Sequence, residues 1–394
     1  MNQQRVHLYG SVFIASLGLG MYTYFIPVFA QTLGATFLDL GLIGTAGALA
    51  YAITPMLVAY LADRFNRAWL FTLGLAINIL AALALIFSVS VRDVILSRLL
   101  GGFAYGIFWP SSEILVADLT PLDERVREMG WYSVAWASGF LLGPSIGGVV
   151  VQRSGFVWLF FASAMLIAFA IVPDLLWLVP GYQRKTAAPK DFSGSLSTIR
   201  ILLPWYMISF CYGIILSVVV AIFPGYANSV GVVPEMIGLL FTAFGISRVF
   251  VYAASGRFVR VGEKKVLSFA SGTLAAGMLA IATVPNFGTF FMALVVIGGG
   301  LGVIFPVTIS LISRYFDDRR LGVAVGSYET LFGIGFAVGP LLAGIIAVLS
   351  NVILTFWVAA LFGALMVLLI GLGPALSPPD STESRIRESE FSES

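Results

Sequence analysis

The sequence predicts an all-α integral membrane protein in which twelve transmembrane helices form two pseudo-symmetric six-helix bundles. Three observations lead to this prediction. Hydrophobic residues make up 59% of the 394-residue chain and charged residues only 11%, whereas soluble domains carry about 25% charged residues. Apolar runs long enough to cross a hydrocarbon core of roughly 30 Å recur along the chain. A pattern of glycines and prolines also occurs twice, about half a chain length apart.

The twelve apolar runs are numbered α1 to α12 in chain order. Helices are favoured over barrel strands because backbone groups in hydrocarbon must form hydrogen bonds within their own segment, and the runs are too long and too uniformly apolar for strands. The predicted spans are 8–31, 39–61, 68–89, 92–116, 128–151, 156–179, 201–224, 235–256, 265–284, 288–312, 321–348 and 351–373.

The second half of the chain repeats features of the first. A duplicated bundle of this kind predicts a functional site between the two halves. At an offset of 196, Gly102, Gly106, Pro110, Gly139, Gly143, Pro144 and Gly148 recur as Gly298, Gly302, Pro306, Gly335, Gly339, Pro340 and Gly344. At an offset of 197, Pro27, Gly34, Gly41 and Thr45 recur as Pro224, Gly231, Gly238 and Thr242.

Basic residues predict the orientation in the cell membrane. If the N-terminus is cytoplasmic, all but four of the 22 lysines and arginines fall in cytoplasmic segments; Arg92 and Arg153 lie outside, and Arg98 and Arg248 lie within helices. This bias places both termini in the cytoplasm. The predicted organisation is a first bundle at 1–180, a cytoplasmic linker at 181–200, a second bundle at 201–376 and a disordered, Ser- and Glu-rich tail at 377–394.

Several function classes are excluded by composition. The chain has one histidine, His7, and one cysteine, Cys211, which excludes a His-cluster metal site and an intrachain disulfide. No GxxxxGK[ST] motif is present, so no ATP-binding loop is expected. The net charge of +2 gives no indication of nucleic-acid binding. We therefore expect no cofactor, no metal and no enzymatic activity, and any transport should be driven by gradients.

Three local patterns carry further information. The α2–α3 loop reads Ala59-Tyr-Leu-Ala-Asp-Arg-Phe-Asn-Arg67. On α5, Gly139-Phe-Leu-Leu-Gly-Pro-Ser-Ile-Gly-Gly148 has glycines spaced by four, which lets a neighbouring backbone approach closely, and a proline that permits a bend. On α4, Arg98 begins Arg-Leu-Leu-Gly-Gly. A cation inside a span costs roughly 2.5 to 3.5 kcal/mol on insertion scales, so it needs a partner or a watery cavity.

Together with the twelve helices in two halves, these patterns resemble the major facilitator superfamily over about residues 7–373. The loop is similar to the family's G-x-x-x-D-R-x-G-R signature, the α5 motif matches G-x-x-x-G-P-x-x-G-G completely, and the α4 motif matches R-x-x-q-G except at Gly101. The resemblance implies a secondary transporter, expected to be monomeric, that alternates between inward-open and outward-open states.

The resemblance also implies roles for the motif residues. The loop would latch the cytoplasmic side through Asp63, Arg64 and Arg67, with Asp118 as the partner of Arg67, although plain positive-inside topology is an alternative interpretation. The α5 motif is associated in the family with proton-exchanging exporters, and Gly143 is expected to lie in a close contact between the two halves. A pure packing role is the alternative for Gly139, Gly143, Pro144, Gly147 and Gly148, and for their weaker echo Gly335, Gly339 and Pro340.

Ionisable and aromatic residues within the spans are candidates for proton coupling or solute binding. The charged candidates are Glu329, Glu113, Arg98 and Arg248; Glu329 and Arg248 lie at similar depth and could pair, and a buried structural ion pair is the alternative for Glu113, Glu329 and Arg248. The predicted cavity residues are Tyr9, Ser16, Thr23, Tyr105, Trp109, Trp205, Ser209 and Tyr212, some of which could instead face lipid. Such a cavity suits an amphipathic or aromatic solute rather than a sugar.

These observations favour a proton-coupled exporter of an amphipathic drug-like or metabolite solute. A proton-coupled importer or uniporter of a small organic solute is the second hypothesis, since α1 lacks the acid that several multidrug exporters of the family carry. A receptor-like membrane protein without transport is the third. The expected partners are a small-molecule substrate, protons and the lipid bilayer.

Overall fold

The computed structural model describes residues 3–62, 65–121, 124–182, 196–258, 262–315 and 318–373. Twelve helices in this part of the chain are long and apolar enough to cross a membrane, which confirms the predicted number. They are α1 (Gln3–Thr23 with Ile26–Thr32), α2 (Phe37–Ala62), α3 (Arg67–Ile86), α4 (Val91–Leu119), α5 (Arg125–Ser154), α6 (Phe156–Pro173, continued to Gly181), α7 (Leu196–Ala221 with Phe223–Ser229), α8 (Pro234–Phe258), α9 (Glu263–Thr283), α10 (Phe287–Tyr315), α11 (Asp318–Leu349) and α12 (Val352–Leu372).

Helices α1 and α7 are interrupted at equivalent positions, which corrects the continuous spans predicted for them. The second segment of each begins next to a proline, Pro27 in α1 and Pro224 in α7. Proline lacks the N–H needed for the helical ladder, and its ring clashes with the preceding turn. Each break therefore leaves a short segment at the end of the molecule farthest from Gln3. We call this end distal, and the end that carries Gln3, Tyr182 and Gly373 proximal.

The glycines of the α5 motif bring α5 against α1 within the first bundle. A Cβ atom on Gly143 would lie 2.7 Å from backbone atoms of Gly20 and Met21, and one on Gly139 would lie 2.6 Å from the Phe13 carbonyl oxygen. In the second bundle Gly339 approaches Ile214 of α7 in the same way. These glycines thus support packing inside each bundle, and Gly143 does not form the contact between the halves that we had expected of it.

The two bundles meet along α2 with α11 and along α5 with α8. The contacts follow the internal repeat: the Thr45 hydroxyl donates to the Ala337 carbonyl at 2.8 Å, and the equivalent Thr242 hydroxyl donates to the Leu141 carbonyl at 2.9 Å. Gly41 packs against the Pro340 carbonyl and Gly238 against the Pro144 carbonyl. Two interfaces of the same construction therefore join the bundles.

Further contacts close the distal end between the bundles. The Gln31 amide donates to the Gly225 carbonyl at 3.0 Å and accepts from Asn228 at 2.9 Å, where Gln31 and Asn228 are equivalent residues of the repeat. Tyr24 of α1 stacks on Phe241 of α8 with ring centroids 4.0 Å apart. The structure thus describes a molecule whose two bundles are joined at the distal end.

Residues 183–195 of the predicted linker, the tail 377–394, and Asp63 and Arg64 of the loop signature lie outside the described residues. The linker and tail assignments therefore remain predictions from the sequence.

Candidate functional site

Each bundle carries a half-buried group of aromatic rings at equivalent places. On α4 and α5, Trp109 packs on Trp136 at 5.0 Å, and Trp136 packs on Phe140 at 6.3 Å. On α11, Phe332 lies 5.8 Å from Phe336. With Phe305 of α10 these two rings repeat the first group at an offset of 196. We call Trp109, Trp136 and Phe140 the first aromatic cluster, and Phe305, Phe332 and Phe336 the second.

Sequence reasoning missed most members of these clusters. It identified Trp109 and Tyr105, and Tyr105 does lie against Phe140, with ring centroids 6.4 Å apart. Trp136, Phe140 and the second cluster were passed over because aromatic rings in apolar spans are common and face lipid as often as protein. The 196-residue offset that was applied to the glycines would have found them.

One carboxylate accompanies each aromatic cluster. Glu113 is four residues after Trp109 on α4, and Glu329 is three residues before Phe332 on α11. Residues three or four apart share a helix face, so each acid lies on the face of its neighbouring ring.

Glu329 projects into the space between the bundles. Its side chain is exposed, yet its charge acts on Glu113 of α4, Tyr51 of α2 and Tyr212 of α7. Electrostatic interaction with Glu113 and Tyr51 of the first bundle indicates that Glu329 lies near that bundle. We call the region between Glu113 and Glu329 the opening between the bundles; Glu113 is half-buried on its first-bundle side.

Arg248 lies close to this opening but does not pair with Glu329. Its guanidinium donates to the Tyr212 hydroxyl at 2.8 Å, and among the described residues no ion pair to Glu329 is formed. The pairing that equal depth suggested is therefore absent from this conformation.

Arg98 occupies a different place, near the distal closure. Its side chain packs against Gly47 of α2, where a Cβ atom would lie 2.7 Å from Nε. It lines a cavity of about 20 Å³ together with Thr23 of α1 and Val220 of α7. Such a cavity is large enough for a water molecule, which could solvate a cation that has no carboxylate partner among the described residues.

Several residues predicted to line the cavity lie inside the bundles. Tyr9 is buried and donates to Glu128 at 2.9 Å. Ser16 is buried beside Gly139. Trp205 packs against Gly373, and Ser209 donates to the Tyr328 carbonyl at 2.8 Å. Their helical alignment was correct, but the stripe faces neighbouring helices of the same bundle.

Two of the predicted cavity residues, Thr23 and Tyr212, lie beside the membrane-embedded arginines. Thr23 is half-buried and donates to the Leu19 carbonyl at 2.7 Å, next to the cavity at Arg98. Tyr212 is buried and positions Arg248.

A charged network at the proximal end of α1 and α5 was not predicted. Arg5 forms ion pairs with Glu124 at 3.0 Å and with the buried Glu128 at 3.4 Å, and Arg127 pairs with both acids at 3.2 Å. The Arg5 guanidinium holds the pKa of Glu124 below its usual range. These contacts tie α1 to the start of α5 and lie apart from the opening between the bundles.

Arg67 and Asp118 form the ion pair that the resemblance implied. The guanidinium of Arg67 lies 2.6 Å from the Asp118 carboxylate, and the Tyr182 hydroxyl donates to the same oxygen. Burial raises the pKa of Tyr182. The pair joins α3, α4 and the end of α6, all in the first bundle, and both side chains are about nine-tenths buried.

Asp118→Asn is expected to destabilise the protein by on the order of 3 kcal/mol, because it removes the carboxylate from a buried ion pair. Thermal unfolding of the purified protein in detergent measures the loss. Glu235→Gln is the matched control, since Glu235 is exposed at the start of α8 and forms no ion pair among the described residues. Equal shifts in both variants would contradict the interpretation.

Comparisons with known proteins agree with this architecture. The model of the Major Facilitator Superfamily matches residues 8–205 and again 205–393. The Quinolone resistance protein NorA of Staphylococcus aureus (strain MSSA476) is 26% identical over 351 residues, which cover 87% of this chain and 90% of that protein. Multidrug resistance protein 2 of Bacillus subtilis (strain 168) is 26% identical over 389 residues, or 95% of each chain.

Solved structures share the fold at low identity. The nucleoside transporter NupG superposes with a TM-score of 0.76 and 17% identity, covering 95% of this chain and 99% of that one. A D-xylose-proton symporter superposes with a TM-score of 0.75 and 14% identity, covering 95% and 98%. The twelve helices, the duplicated bundles and the family match over nearly the whole chain lead to one conclusion. This chain belongs to the Major Facilitator Superfamily and is a multi-pass membrane transporter of small molecules, not an enzyme.

Proposed function

We propose that the protein is a proton-coupled exporter of amphipathic drug-like or metabolite solutes that works by alternating access. The observation that carries the proposal is the opening between the bundles, which Glu113 enters from α4 and Glu329 from α11, each beside an aromatic cluster. Aromatic faces suit a flat apolar solute, while a carboxylate at this depth can bind either a proton or a cationic group.

Competition between protons and the cationic solute for these carboxylates would couple proton movement to solute movement. The charge of Glu329 acts on Glu113, so binding of a proton or a cationic solute at Glu329 changes the cost of ionising Glu113. A proton that enters from the far side would release the solute. The similarity to resistance proteins of two bacteria supports export.

The orientation is part of the proposal. The proximal end would face the cytoplasm, as the distribution of lysines and arginines predicts. The described conformation, closed at the distal end, is then inward-facing. We further propose that the protein lies in the cell membrane as a monomer and that two interfaces, α2 with α11 and α5 with α8, act as the surfaces on which the bundles rock.

Transport into inverted membrane vesicles tests this function. An imposed pH gradient, acidic inside the vesicle, should drive accumulation of a fluorescent aromatic cation, and a protonophore should abolish it. Accumulation that ignores the gradient would indicate a uniporter. Accumulation only under the opposite gradient would indicate a symporter that imports its solute.

Asp63→Asn is expected to slow transport and raise the inward-open population, because the family resemblance implies that this charge helps to latch the cytoplasmic side. Spin labels on the proximal ends of α4 and α10 would report the longer distance between bundles. Asp380→Asn in the tail is the control. Unchanged transport and distances in Asp63→Asn would contradict the latch.

A further inference from the structure

We infer that Arg248, held by Tyr212, binds an anionic group of the solute, so that the preferred solutes are aromatic zwitterions. The inference rests on the proposed function in one respect, that the opening between the bundles binds the solute. It adds the chemical class of that solute. The amine would face Glu113 and Glu329, the ring would contact the aromatic clusters, and a carboxylate would bind Arg248.

Arg248 lies on the face of α8 that meets the first bundle. Phe241, seven residues earlier on the same helix face, stacks on Tyr24 of α1 in the distal closure. The Arg248 side chain is half-buried, and its charge acts on Tyr24. A solute that enters from the proximal end therefore meets Arg248 below that closure.

The guanidinium has unused donors. Arginine carries five N–H groups, and in the described part of the chain one nitrogen donates to the neutral Tyr212 hydroxyl while no carboxylate pairs with the cation. A cation at membrane depth with only a phenol as partner is costly. A planar carboxylate from the solute would supply two parallel charge-assisted hydrogen bonds.

Tyr212 gives the site its geometry. The ring is 1% exposed and lies 5.3 Å from Phe332 of the second aromatic cluster. Its hydroxyl is fixed by this packing, and the hydrogen bond then fixes the direction of the guanidinium. Tyr212 is thus a positioning residue that also places Arg248 next to the aromatic surface.

The relative depths place the three charges of the site. Arg248 is ten residues before the proximal end of α8, Glu113 six residues before that of α4, and Glu329 eleven residues after that of α11. At 1.5 Å per residue these positions lie about 15 Å, about 9 Å and about 16 Å from the helix ends. Arg248 and Glu329 are therefore level, so the zwitterion would lie across the opening with its carboxylate on Arg248 and its amine toward the two acids. Arg98 does not compete for the carboxylate, because its small cavity at the distal closure admits only water-sized groups.

Binding to the purified protein tests the inference without any transport. The probes are a fluoroquinolone that carries a piperazinyl amine and a carboxylate, and its ethyl ester, which keeps the amine and rings but lacks the negative charge. Tryptophan quenching measures both affinities. Arg248→Gln should weaken binding of the zwitterion about 10-fold or more and leave the ester within about twofold. Arg248→Lys should restore part of the difference.

Tyr212→Phe should weaken binding of the zwitterion by a smaller factor and leave binding of the ester unchanged. The reason is that the Arg248 guanidinium remains but is no longer held in one direction. Arg153→Gln, at an exposed arginine at the distal end of α5, is the matched control. Equal losses for both probes in Arg248→Gln, no preference of the wild type for the zwitterion, or no binding of either probe would overturn the inference. The vesicle experiment with a simple cation judges the proposed function separately.

Discussion

Glu329→Gln is expected to abolish transport driven by a pH gradient while it preserves folding and solute binding. The amide keeps the size and hydrogen-bonding capacity of the acid but cannot exchange a proton. Glu329 is exposed to the opening between the bundles and lies eleven residues into α11, about 16 Å from the helix start at 1.5 Å per residue. Its repeat equivalent is Ser133, so the bundle architecture does not require an acid there.

The measurement is solute accumulation in vesicles with and without a gradient. In Glu329→Gln, accumulation should fall to the level of downhill equilibration, whereas counterflow of preloaded solute should persist. Glu235→Gln, the same change at the exposed first turn of α8, is the matched control and should transport normally. Gradient-driven accumulation at the wild-type level in Glu329→Gln would refute the assignment, and Glu113 would then be the first alternative.

Gly148→Leu is expected to disfavour distal closure and thereby arrest the transport cycle. A Cβ atom on Gly148 would lie 2.6 Å from the Pro234 carbonyl oxygen of α8, across the interface between the bundles. Overpacking of this kind costs about 1–3 kcal/mol, which changes the population ratio of two states roughly 5-fold to 150-fold. The repeat uses the equivalent contact at Gly344, where a Cβ atom would lie 3.0 Å from the Phe37 carbonyl oxygen of α2. Gly344→Leu should therefore act in the same direction.

Spin labels on cysteines replacing Thr32 and Ser229, in a Cys211→Ser background, measure the effect. Both residues are exposed and lie at the distal ends of α1 and α7, at equivalent places in the repeat. The distance between labels should lengthen in Gly148→Leu. Gly10→Leu is the control, since nothing lies within 4 Å of a Cβ atom there. A distance distribution identical to that of the wild type would show that the interface tolerates the side chain without opening.

Gly143→Leu separates packing within a bundle from packing between bundles. Gly143 faces Gly20 of α1 in its own bundle, so the substitution should lower thermal stability and protein yield, with transport falling in proportion. This expectation replaces the jammed contact between halves that the sequence suggested. Selective loss of transport at normal stability would restore the earlier interpretation.

The sequence by itself determined the number of helices, their approximate spans and the duplicated plan. In a bilayer every backbone group must be satisfied within its own helix, so span prediction depends on local hydrophobicity, which can be read residue by residue. The breaks in α1 and α7 occur at Pro27 and Pro224, which are present in the sequence. They were not predicted because the apolar runs continue through both prolines. The Arg67–Asp118 pair followed from the family motif.

Only the tertiary structure decided which side chains meet. Most of these helices are apolar all round, so no amphipathic stripe reveals their rotation, and lipid and protein neighbours are equally acceptable to an aromatic ring. The rotation of each helix about its axis directs Tyr9 to Glu128 rather than into the cavity. On α5 it directs Gly143 toward α1 and Gly148 toward α8. On α8 it brings Arg248 to the Tyr212 hydroxyl rather than to Glu329. Those contacts depend on helix crossings formed between residues distant in the chain, which hydrophobic periodicity does not encode.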